Sequence, residues 1–72
     1  MNFEEKLLTR YGLAERWDTA TRTLDRLRQS GQLPWIDLSG GQRRKPIVRF
    51  RLRDVVEYER KHRMFPGGGH NE

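Results

Sequence analysis

Residues 13–34, LAERWDTATRTLDRLRQSGQLP, decide the fold. An apolar helical run ends at Trp17-Asp18. A second run starts at once through Thr19-Ala20-Thr21 and stops at Ser30-Gly31. Asp18 or Thr19 can cap the second helix, Gly31 supplies its C-terminal stop, and Pro34 prevents it from resuming. With Ala20 as origin and about 100° per residue, Ala20, Leu24 and Leu27 form a narrow core stripe. The opposite face carries Thr21, Arg22, Asp25, Arg26 and Gln29, side chains able to hydrogen-bond phosphates or base edges.

Upstream, Thr9 can cap a first helix whose apolar face is Leu13, Ala14 and Trp17, with Leu7 and Leu8 entering from the preceding segment. Downstream the period changes. Trp35-Ile36-Asp37-Leu38 reads as a strand, Ser39-Gly40-Gly41-Gln42 as a turn and Ile47-Val48-Arg49-Phe50-Arg51 as the returning strand of a β-hairpin. Alternation puts Val48, Phe50 and Leu52 on one side and Arg49, Arg51 and Arg53 on the other. Between Asp37 and Asp54 there are six cations (Arg43, Arg44, Lys45, Arg49, Arg51 and Arg53) and no acid. Protecting a hairpin edge from aggregation requires less charge than this. A last helix begins near Arg53-Asp54, with Leu52, Val55, Tyr58 and His62 facing inward. Arg60, Lys61 and Arg63 complement the negative pole at its end.

The chain of 72 residues permits one small domain, over residues 1–64, and no second core; residues 65–72, with Gly67-Gly68-Gly69, read as a flexible tail. Fifteen Lys and Arg oppose ten Asp and Glu, giving a formal charge of +5, and twelve of those fifteen cations are arginine. The planar fork of arginine matches phosphate oxygens and guanine edges, so the balance points to a polyanionic partner. There is no cysteine, which suits a reducing, cytoplasmic setting, and no apolar run near the ~20 residues of a membrane span. The acidic start of MNFEEKLLTRYG is unlike a signal peptide.

Catalytic patterns are not found. Glu57 and Glu59 are two apart on a helix and point in different directions. His62 and His70 are too isolated for zinc, and the glycine run lacks the strand, helix and lysine of a phosphate loop. Trp17 and Trp35 read as core packing in preference to stacking platforms for unpaired bases. No enzyme activity, cofactor, metal or small-molecule ligand is expected.

Three segments together resemble the excisionase and AlpA-like group of phage and mobile-element DNA-binding proteins, related in fold to the DNA-binding heads of MerR-type regulators. They are Leu7, Leu8, Thr9, Leu13 and Ala14; then Thr23, Leu24, Arg26, Leu27, Ser30, Gly31, Leu33 and Pro34; then Arg49, Phe50, Asp54, Val55 and Tyr58. The resemblance covers about residues 7–62. It implies an α+β fold, a small winged helix-turn-helix in the order helix, helix, β-hairpin, helix. It also implies a second helix that enters the major groove of double-stranded DNA through Thr21, Arg22, Asp25 and Arg26. Gln29 lies on that same face. The wing would carry Gln42, Arg43, Arg44, Lys45, Arg49 and Arg51. The family often has glycine, an apolar residue and serine between the helices, where this chain has Asp18-Thr19-Ala20, and the run Gln42 to Pro46 lengthens the wing tip. By the same resemblance the chain is expected to assist integrase-mediated excision, with an integrase or further copies of itself as partners on DNA. A prophage or plasmid transcriptional regulator is the alternative within the DNA class. A protein-recruiting adaptor of a DNA-packaging or mobile-element complex is the alternative outside it.

Overall fold

The computed structural model describes residues 6–63; the tail expected at 65–72 lies outside them. Three helices and a three-stranded antiparallel sheet follow in the order β1 (Leu7–Leu8), α1 (Arg10–Trp17), α2 (Thr21–Gln29), β2 (Ile36–Asp37), β3 (Val48–Arg51) and α3 (Leu52–Lys61). The strand order is β1-β3-β2, so the two short strands flank the longer one. Leu8 pairs with Phe50 and Leu7 with Arg51 on one side, and Ile36 with Arg49 and Asp37 with Val48 on the other. The strand β1 is not expected from the sequence, in which Leu7 and Leu8 read only as an entering apolar segment. Two residues carry too little periodicity to declare a strand, and this one exists because Phe50 and Arg51 offer it an edge.

Cross-strand partners share a face, so Leu8, Phe50, Val48 and Asp37 lie on one side and Leu7, Arg51, Arg49 and Ile36 on the other. The first side is the core side. Phe50 and Val48 are buried there with Leu13 and Ala14 of α1, Leu24 of α2, Leu33 after α2 and Val55 of α3. Leu13, Leu24, Leu33, Phe50 and Val55 are fully buried, each worth about 1.5–3 kcal/mol relative to exposure. The expected alternation holds through Arg51. Leu52 and Arg53 already belong to α3, which begins at Leu52, one residue before the expected start.

The break between α1 and α2 has a different construction from the expected side-chain cap. Thr9 caps α1 as anticipated, its Oγ1 accepting from the Gly12 amide at 2.9 Å. At the far end Asp18 adopts a left-handed conformation, φ 54°. Its N–H reaches the Glu15 carbonyl, and the Thr19 N–H reaches the Ala14 carbonyl at 2.9 Å. Asp18 therefore closes α1 and does not open α2, and it stands where glycine is the least strained residue. The residue before α2 is Ala20, exposed and without any capping oxygen. This corrects both the cap assigned to Asp18 or Thr19 and the place of Ala20 in the core stripe.

The end of α2 follows expectation. Gly31 takes φ 81°, the Gly31 N–H bonds to the Arg28 carbonyl at 3.2 Å, and the Gln32 N–H bonds to the Leu27 carbonyl at 3.0 Å. This paired closure reverses the chain and returns Leu33 to the core.

Candidate nucleic-acid interface

With Leu24 as the true inward direction of α2, Arg28 and Thr21 lie within about 60° of it, Asp25 about 100° away, and Gln29, Arg22 and Arg26 about 140–200° away. Burial agrees. Arg22, Arg26, Gln29 and Thr23 are exposed, whereas Thr21 and Asp25 are half-buried. The outward arc is thus narrower than the face expected from an origin at Ala20, because Ala20 precedes the helix. Arg22 and Arg26 form no ion pair with any described residue.

Asp25 is committed elsewhere. Arg10, the first residue of α1, grips it with two N–H groups, Nε to Oδ1 at 3.1 Å and Nη2 to Oδ2 at 3.0 Å. Arg28 reaches the same carboxylate from within α2 at 3.4 Å and lies over the Trp35 ring, 4.7 Å from its centroid. A planar guanidinium meeting a carboxylate through two bonds fixes orientation as well as distance. Asp25 consequently ties α2 to α1, and its negative charge is offset by two neighbouring cations. Trp35, expected in the core, sits at its margin with 36% of its surface exposed and serves Arg28 as a platform.

The loop of residues 38–47 joins β2 to β3 and carries the other candidates. Gln42, Arg43, Arg44 and Lys45 are all exposed, and the three cations have no ion-pair partner among the described residues. Arg49 and Arg51 are half-buried on the sheet face away from the core. Arg49 donates through Nη1 to the Val48 carbonyl at 2.8 Å, and Arg51 lies 4.0 Å from Asp54. The candidates of this segment therefore divide into a free tip and an anchored root.

Asp37 closes that root. Its Oδ1 accepts from the Ser39 hydroxyl at 2.6 Å, the Ser39 amide at 2.9 Å and the Ile47 amide at 3.0 Å. The Ser39 hydroxyl first, then the backbone donors, hold its carboxyl below the ordinary carboxylate value against partial desolvation. Gly40 and Gly41, at φ 66° and 83°, make the turn beyond it.

The posture of α1 depends on a residue that the sequence reading set aside. Glu59 of α3 is 5% exposed and is a charged member of the buried set. Arg16 donates to it through Nε at 2.7 Å and Nη2 at 3.0 Å, and the Trp17 indole N–H donates at 2.6 Å. The Arg16 bonds outweigh desolvation and lower the Glu59 pKa, and the same bonds raise that of Arg16. A signal was present in the sequence: Glu59 follows Val55 by four residues and so shares its stripe. Tyr58 stacks between Trp17, at 5.2 Å, and His62, at 4.1 Å. His62 itself is exposed, contrary to its expected inward position.

Arg10 connects α2 with the end of the β2–β3 loop. It holds Asp25, which lies three residues after Arg22 and one before Arg26. It also lines, with Pro46 to Arg49, a depression between the start of α1 and β3. Asp25 of α2 and the root of the loop therefore flank the same side chain. The chain matches no family model, curated protein or solved structure. Among the described residues, no three His, Asp or Glu side chains group to hold a metal ion, and no helix is long and apolar enough to cross a membrane.

Proposed function

We propose that this protein is a non-enzymatic, sequence-specific binder of double-stranded DNA with a winged helix-turn-helix architecture. The carrying observation is that Arg22 and Arg26, and the loop cations Arg43, Arg44 and Lys45, are exposed without ion-pair partners among the described residues. Cations packed for stability would seek carboxylates, as Arg10, Arg16 and Arg28 do. In this reading α2 enters the ~12 Å major groove with Arg22, Arg26 and Gln29 at the bases or flanking phosphates. The loop is the wing, and its cations neutralise phosphates and release counterions. Asp25 does not read a base; it sets the angle of α2 through Arg10.

The biological role follows the resemblance to excisionases: the protein binds near attachment sites, in several copies or with an integrase, and directs recombination toward excision. A prophage or plasmid regulator would use the same surface.

Selection of bound fragments from the source genome tests the reading and locates the process. An enriched site beside an integrase gene supports excision; a divergent promoter without one supports regulation. Replacing Arg22 and Arg26 by alanine is expected to cost about 1–3 kcal/mol per base-reading arginine at the selected site and less on random duplex. Neutralising Arg43, Arg44 and Lys45 is expected to weaken all duplexes alike. Equal losses on both duplexes for the α2 variant would remove α2 as the reader.

A further inference from the structure

Tyr11, the second residue of α1, leaves 71% of its surface exposed, the largest exposure of a big apolar side chain among the described residues. Arg10 stands beside it, its guanidinium 5.6 Å from the ring centroid, while the same guanidinium holds Asp25. Thr9, Arg10 and Tyr11 form one wall of the depression between α1 and β3, about 340 Å³ in volume, and Pro46 to Arg49 form the other. No carboxylate lines it. Arg49 is anchored there by its Nη1 bond to the Val48 carbonyl, and its remaining N–H groups have no acceptor among the described residues. The depression thus offers a phenol hydroxyl, a fixed guanidinium and no competing acid, and it borders both Arg10, which holds Asp25 of α2, and Pro46, which follows Lys45 in the chain.

We propose that this depression seats one backbone phosphate of the bound duplex, with Tyr11 donating its hydroxyl and Arg49 its unused N–H groups. The inference rests on the DNA-binding reading above. Because the depression joins the start of α1, which is tied to α2 through Asp25, to the root of the loop, a phosphate there would fix the protein's register on the duplex without reading sequence. Anchoring of Arg49 before binding reduces the ordering that the contact requires. Tyr11 is the donor that distinguishes this seat from simple charge attraction.

The test uses the full chain and its selected duplex, with each phosphate replaced in turn by a neutral methylphosphonate. Wild type is expected to bind about tenfold more weakly when the seated phosphate is replaced. Tyr11→Phe is expected to bind the unmodified duplex more weakly by about threefold or more and to lose less than wild type on that same replacement, while Tyr11→Phe with Arg49→Gln is nearly indifferent to it. The melting temperature of Tyr11→Phe should match wild type, since the hydroxyl has no partner among the described residues. If wild type selects and binds no duplex, the DNA reading falls and the seat with it. If wild type binds but Tyr11→Phe and Arg49→Gln bind equally well at every position, the seat alone is overturned. A saturable shift of the Tyr11 ring resonances with inorganic phosphate, and none with duplex, would also overturn it and assign a free-anion site.

Discussion

At the residue scale, the most consequential side chain is a carboxylate that touches no candidate DNA contact. Glu59 fastens α3 to α1 through Arg16 and Trp17. Its folded pKa lies below its ordinary value near 4.5, so its contribution is complete above that value and is lost as pH falls through the depressed one. Asp37 has the same sign and adds to the acid sensitivity. Glu59→Gln keeps the shape but weakens the charge-assisted bonds, and a loss of about 1–3 kcal/mol at neutral pH is expected. Thermal melts from pH 7 to pH 2 check this: the gap between variant and wild type should close as pH falls below the ordinary carboxylate range. A gap that stays constant would mean that folding does not lower the Glu59 pKa.

Glu59 also marks where sequence reasoning stops at this scale. Its position on the Val55 stripe was legible, but a charged letter reads as solvent-facing until its partners are known. Those partners, Arg16 and Trp17, are 43 and 42 residues away in the chain. Asp25 presents the same difficulty. The α2 sequence alone places it beside Arg22 and Arg26, and only the approach of Arg10 from α1 shows that its charge is engaged.

At the element scale, α2 was legible in its stop and its outward arginines, since these depend on Gly31 and on helical period. Its start was not, because Asp18, Thr19 and Ala20 offer three chemically reasonable beginnings. Backbone geometry chooses the one with no capping side chain, as Asp18 is consumed in closing α1. The exposed Ala20 is therefore a defect that one oxygen repairs. Ala20→Ser is expected to stabilise the fold by about 1 kcal/mol, seen as a rise in melting temperature of about 4–8 °C. No change would mean that water already satisfies the first amides of α2 as well as a hydroxyl does. The hairpin shows a similar pattern: the buried Val48 and Phe50 were readable from alternation, whereas the strand Leu7–Leu8 needed its edge partner to be recognised.

At the scale of the whole molecule, five fully buried side chains among the described residues pack the three helices against the sheet, so the margin of stability is small. Arg10, Arg16 and Arg28 are internally paired, whereas Arg22 and Arg26 on the α2 arc and Arg43, Arg44 and Lys45 in the β2–β3 loop are exposed. If about four to six phosphates are neutralised, the logarithm of affinity should fall with the logarithm of salt at a slope near four or five. Titrations between 50 and 200 mM salt, roughly the span over which such slopes are read, would measure it. A slope near one would show that the exposed arginines do not meet a phosphate backbone.

The knot at Asp37 has a practical consequence for anyone redesigning this chain. Because one carboxylate oxygen gathers the amides of Ser39 and Ile47, strand pairing is set at the base of the loop. The turn beyond it starts from that fixed base, with the Gly40 N–H donating to the Asp37 carbonyl at 3.0 Å. Residues inserted between Gly41 and Lys45 would lengthen the reach of the tip while leaving the pairing of Ile36 with Arg49 in place. The tip is thus a natural graft point, where a tag or a longer basic arm can be installed without redesigning the core.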